Sequence, residues 1–162
     1  MKKRSIVTAL VGTMLFIYVS VMGFAQTIPE DNRGNAGQDL LQDPSWLVGA
    51  TLQSIITQFG SPLAVYSVRG PESWQDDVVF SYDGIDLYWY QNRVWQIGLS
   101  QGYGIKKGDK KEAVLAILGE PLIQEESYLV FRLPSRGWPL RLRVSFSEQQ
   151  VVQALFVYRP DY

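Results

Sequence analysis

The side chains in this sequence with the most obvious capacity for chemistry are carboxylates. Asp76, Asp77, Asp83 and Asp86 fall close together. Two carboxylates at a suitable separation hydrolyse glycosides, one as acid and the other as base or nucleophile. Asp83, however, precedes Gly84 in a tight-turn signal, where an aspartate serves the turn. Asp76-Asp77 reads as a polar loop, and nothing in the spacing fixes a second carboxylate at a defined site. Lys106, Lys107, Lys110 and Lys111 gather at a predicted helix start. Cations oppose the helix dipole there. A helix start can hold an anion, but a solvated face is the simpler reading. The 162 residues include no histidine and no cysteine. Ser-His-Asp, Cys-His and His-metal chemistry are therefore excluded, as are thiolate metal sites. The expectation is a non-enzymatic protein: no catalytic residue, no metal ligand and no cofactor.

Binding chemistry remains. Strand-like alternation over Ile85–Tyr90 sends Ile85, Leu87 and Trp89 to one face and Asp86, Tyr88 and Tyr90 to the other. Over Leu140–Phe146, Leu140, Leu142, Val144 and Phe146 point inward, and Arg141, Arg143 and Ser145 outward. Arg132 joins them from a neighbouring strand. Tyrosine and arginine on a rigid sheet are the types enriched at binding hot spots. The competing reading makes the tyrosines cross-strand stabilisers and the arginines solubilising groups. Trp74 and Trp138 fall in predicted loops, as anchors for a partner or, the favoured reading, as caps on the core. A second binding mode uses Tyr88, Trp89, Tyr90 and Trp95 as a stacking platform for sugars or peptidoglycan fragments.

These strands need elements to hold them. GATLQSIITQFGSP, from Gly49, and GDKKEAVLAILGEP, from Gly108, align at a fixed offset, which predicts a duplicated unit. Leu52, Ile55, Ile56 and Phe59 make one apolar helix stripe, and Val114, Leu115, Ile117 and Leu118 another. Asp109 with Glu112 suggests a capping box. Gly60 and Gly119 occupy left-handed cap positions, and Pro62 and Pro121 forbid continuation. Strands are predicted at 64–68, 78–82, 85–90 and 93–99, then at 122–125, 128–133, 140–146 and 151–158. The resulting expectation is an α+β fold of two tandem helix-plus-antiparallel-meander units, two-layer, with the helices on one face of the sheet or sheets. Residues 47–101 form the first unit and 102–162 the second.

The N-terminal residues carry a different signal. Lys2, Lys3 and Arg4 precede an uncharged apolar run from Ser5 to Met22, followed by Gly23 and Ala25 at the −3 and −1 positions of a cleavage site. That order predicts a secretory signal over residues 1–25, cleaved after Ala25; a retained anchor is the alternative. Residues 26–46, rich in Gly, Asn, Asp, Gln and Pro, read as a flexible tether. The charge is unevenly spread. Residues 47–100 carry two arginines and five acids, and residues 105–162 nine lysines or arginines and seven acids. Neither half is basic enough for nucleic acid.

Gly108–Pro121, with Gly104-Ile105 before it, resembles the helix motif of the SmpA/OmlA (BamE-like) periplasmic proteins. The tandem arrangement resembles the β-lactamase inhibitory protein. That resemblance implies a non-catalytic protein of the bacterial envelope, periplasmic or secreted, that binds another protein through an open sheet face. It also implies, as an alternative, an accessory role in outer-membrane protein assembly. The expected partner is an envelope protein, with no membrane contact after signal cleavage.

Overall fold

The computed structural model describes residues 43–69 and 77–161. The described residues form ten strands, the longer ones rich in β-branched and aromatic residues: β1 Ala64–Val68, β2 Asp77–Tyr82, β3 Ile85–Tyr90, β4 Arg93–Leu99, β5 Gln101–Gly102, β6 Ile105–Lys106, β7 Ile123–Gln124, β8 Tyr128–Leu133, β9 Leu140–Phe146 and β10 Val152–Tyr158. The α-helices among the described residues are α1, Leu52–Phe59, and α2, Lys111–Leu118, each eight residues long.

The α+β expectation of two tandem helix-plus-meander units is corrected by the sheet. It is one eight-stranded antiparallel sheet in the order β1-β2-β3-β4-β10-β9-β8-β7, with β5-β6 as a separate two-stranded ribbon. The cause is the pairing of β4 with β10, Leu99 opposite Leu155 and Ile97 opposite Val157. This joins the strands on either side of residue 102 into one layer. Their inward residues share one core, in which Leu87 and Ile97 belong with Leu142, Val144 and Leu155. The molecule is therefore mainly β.

The helices are minor partners. Ile55 is the fully buried residue of α1, and Val114 that of α2. Both join the common core, which puts both helices on the same face of the sheet. The predicted stripes are wider than the buried ones: Leu52 and Ile56 are 38% and 39% exposed, and Ile117 is 52% exposed. Helices this short cover only part of a wide sheet. Thr51 caps α1 by accepting from the Ser54 amide. The expected Asp109–Glu112 capping box is absent. Asp109 instead accepts from the Lys106 amide at 2.8 Å, and Lys110 stands at the cap. Gly60 and Gly119 end the helices at φ 73° and 76°, conformations that suit glycine.

Turn chemistry sets the register. Gln91 and Asn92, at φ 45° and 63°, join β3 to β4 with the two positive φ values of a type I′ turn. An irregularity between Tyr88 and Trp89 shifts the β3–β4 pairing, and another near Val152 shifts β9–β10. The edges of the sheet differ. β1 is five residues long with every residue exposed, whereas β7 has two residues.

The fold begins earlier than the expected tether boundary at residue 46. Pro44–Leu47 form a 3₁₀ turn with Pro44, Ser45 and Leu47 buried. A polar lock holds it. Asp43 accepts from the Ser45 amide, from the Tyr103 hydroxyl at 3.2 Å and from the Arg136 guanidinium at 2.9 Å. Arg136 also donates to the Ser45 hydroxyl. Burial opposes ionisation of Asp43, but the hydrogen bonds from Ser45, Arg136 and Tyr103 outweigh it and hold the carboxyl below its ordinary pKa. Burial, with the facing Asp43 charge, raises that of Tyr103. Residues 1–42, with the expected signal and most of the tether, lie outside the described residues.

Candidate binding face

Cross-strand register sorts the side chains into two faces. The covered face carries Ile85, Leu87, Ile97, Leu155, Val157, Leu142 and Val144, all buried. The other face, opposite the helices, carries Tyr66, Asp86, Tyr88 and Tyr90 from β1 and β3. From β10, β9 and β8 come Phe156, Tyr158, Arg141, Arg143, Tyr128 and Arg132. The strands place side chains alternately, so the same backbone that builds the core presents this second set outward.

Of the residues expected to bind, five lie together on this face. Tyr88 and Tyr90 stand on β3, Arg141 and Arg143 on β9, and Arg132 on β8, opposite Arg141. The Arg143 guanidinium lies 4.2 Å from the centre of the Tyr128 ring, in cation–π geometry. Arg141 donates to the Leu140 carbonyl. Tyr88 meets Phe156 edge to face, with ring centres 6.1 Å apart. Burial, and the proximity of Tyr66, Asp86 and Asp77, push the Tyr88 hydroxyl up to about 12. The Tyr66 hydroxyl is raised by burial and by the nearby Asp86 carboxylate. Trp95 donates to Asp77 at 3.0 Å.

Two of the aromatic residues named for binding lie elsewhere, Trp138 in the core-cap role favoured for it. Trp138 is not on this face. Its ring occupies the space beside Gly49, where a Cβ on residue 49 would overlap it at 2.3 Å. It packs against the core, with Arg159 stacked 4.6 Å from its centre, which is the core-cap arrangement. Trp89 leaves the expected stacking platform: it points to the covered face and packs on Phe80 at 5.1 Å. Trp74 and Asp76 lie outside the described residues. The lysines at the start of α2 show no anion cradle. Lys111 donates to the Glu125 and Glu126 carbonyls.

Sequence reasoning missed Phe156, Tyr128, Tyr66 and Gly98. Gly98 sits between Asp86 and Phe156 in register. It borders an open cleft of about 390 Å³ whose lining includes Ser81, Asp86, Tyr88, Ser100, Lys107 and Phe156. Among the described residues no group of three or more acidic side chains is placed to hold a metal ion. No helix among them is long and apolar enough to cross a membrane.

No protein-family model matches the chain. No curated protein matches it. Among solved structures, an extracellular protein containing an SCP domain from Bacillus anthracis str. Ames aligns with a TM-score of 0.44 and 11% identity, over 71% of this chain and 45% of that one. The chain thus spans less than half of that protein. A DUF4309 family protein (YjgB) from Bacillus subtilis subsp. subtilis str. 168 aligns with a TM-score of 0.41 and 12% identity, over 68% of this chain and 78% of that one. Likeness at this level says nothing about activity, ligand or partner.

Proposed function

We propose that this chain is an exported, non-enzymatic envelope protein that binds another protein through the helix-free face of its sheet. The observation carrying this reading is the composition of that face. Rings from Tyr66, Tyr88, Tyr90, Phe156, Tyr158 and Tyr128 share it with Arg132, Arg141 and Arg143, and both helices lie on the other side. Aromatic and arginine side chains on rigid strands lose little freedom on binding. The face is also divided in charge, with Asp77 and Asp86 on β2 and β3 and the arginines on β8 and β9. Such a surface selects a partner with an acidic patch opposite the arginines. Export rests on the Lys2–Ala25 signal pattern, and a periplasmic setting agrees with the SmpA/OmlA-like motif at Gly108–Pro121.

The test is affinity capture from envelope extract with the exported chain, run beside a variant carrying Tyr88→Ala, Tyr90→Ala, Arg141→Ala and Arg143→Ala. Circular dichroism must first show the variant folded. The expected outcome is one specific protein retained by the native chain and lost by the variant. Equal retention by both moves the interface off this face.

A further inference from the structure

Beyond protein binding, the cleft over Gly98 has the make-up of a site for a small ligand. Gly98 lies in its lining, with no side chain of its own. A Cβ there would sit 3.4–3.5 Å from Phe156 Cε1, Asp86 Cβ and Tyr88 Cε2, so three different side chains converge on the space it leaves open. Its volume, about 390 Å³, lies within the range of small-molecule sites, about 300–1,000 Å³.

The lining indicates the class of ligand. Tyr88 and Phe156 supply aromatic surface, Ser81 and Ser100 hydroxyls, Asp86 a carboxylate and Lys107 an ammonium. The last two line the same cleft without forming an ion pair with each other. The Ser100 hydroxyl does reach the Gly84 carbonyl, leaving its oxygen free to accept. Asp86 offers acceptors and Lys107 only donors. A ligand of either charge meets one of the two unfavourably. A neutral ligand with many hydroxyl groups satisfies both, since each hydroxyl donates and accepts. A pyranose ring adds an apolar C–H face that suits an aromatic ring.

From this lining we infer that the Gly98 cleft binds a neutral saccharide unit, held by hydrogen bonds to Asp86, Lys107 and the serines, against the rings of Tyr88 and Phe156. Tyr88 and Phe156 belong both to this cleft and to the ring-rich face, and Phe156 stands opposite Arg143, so a glycan seated here and a protein partner compete for the same rings.

The experiment is a titration of the ¹⁵N-labelled chain, followed by amide chemical shifts. The probes are a glucose tetrasaccharide and an N-acetylglucosamine tetrasaccharide, each at up to millimolar concentration. At least one probe is expected to give saturable shifts at the amides of Tyr88, Gly98, Ser100 and Lys107. Gly98→Ala adds only a methyl at van der Waals distance, so the fold is retained while the floor is filled, and affinity is expected to fall at least about tenfold. Lys107→Ala, on an exposed residue, provides a second loss that no packing defect explains. Arg141→Ala with Arg143→Ala, neither of which lines the cleft, is expected to leave saccharide binding unchanged while weakening partner capture, so failure of one reading is distinguishable from failure of the other. No saturable shift at the cleft with either probe, or unchanged affinity in both Gly98→Ala and Lys107→Ala, overturns the inference.

Discussion

The two faces of this sheet are made by the same strands and obey different rules. On β9, Leu142 and Val144 are fully buried, while their neighbours Arg141 and Arg143 point the opposite way. On β3, Ile85 and Leu87 enter the core, while Asp86 and Tyr88 face outward. The covered face is chosen for aliphatic shape, because close packing demands it. The uncovered face carries rings and charges around two buried valines, Val79 opposite Tyr88 and Val130 opposite Arg143. The difference shows how one backbone packs a core on one side and leaves rings and charges available on the other.

The sharpest way to break this comparison is to cut each face in turn. Leu142→Ala empties a site with no exposure and is expected to cost about 2–5 kcal/mol in a urea melt. Tyr88→Ala removes a half-buried outer ring that touches Phe156 and is expected to cost about 1 kcal/mol. A loss at Tyr88 as large as that at Leu142 would make the outer rings a second core.

The Asp43 lock gives a smaller effect that belongs to neither face. Its ion pair with Arg136 is roughly half exposed, so Asp43→Asn is expected to cost about 1 kcal/mol or less. The folded pKa of Asp43 lies below its unfolded value. Its contribution is therefore complete above the ordinary carboxylate pKa and disappears as pH falls through the folded one. Thermal melts from neutral to acid pH should show this loss in the native chain, and a weaker one in Asp43→Asn.

Tyr88 gives the opposite slope. Its folded pKa is raised to about 12, so the contribution is complete below the unfolded value of about 10 and is lost as pH rises through about 12. Between about pH 10 and about pH 12 stability should fall less steeply for Tyr88→Phe, which keeps the ring and removes the proton. Smallest of all is Arg143→Ala, whose stacking on Tyr128 is expected to be worth about 0.5–1 kcal/mol. A larger effect on partner capture than on stability is the expected signature of an interface residue.

Much of the strand layout was legible in the sequence. β1, β3, β4, β8 and β9 match the predicted spans residue for residue. Their alternation is clean and their turns are marked, Gln91-Asn92 among them. The same alternation placed Tyr88, Tyr90, Arg141 and Arg143 on one face. What was not legible is long-range. The β4–β10 pairing that makes one sheet depends on which edges meet, and local pattern does not encode that. The cleft escaped for a related reason. Gly98 gains meaning only from Asp86 and Phe156, which strand pairing brings to either side of it. The irregularity near Val152 hid the facing of Phe156, since one extra residue reverses the alternation after it. The polar lock joins Asp43 to Arg136 across 93 positions, and composition made Asp43 look like part of a tether.

Recognition is proposed for the uncovered face, and packing on the covered one holds the fold. The most direct test of this division is the affinity of the captured partner, once purified, for the native chain and for the Arg141→Ala, Arg143→Ala variant, with the melting midpoint of each chain measured alongside. The expected result is a loss of affinity of at least about tenfold with little change in the midpoint. Unchanged affinity in a folded variant would contradict it and return the arginines to a solubilising role.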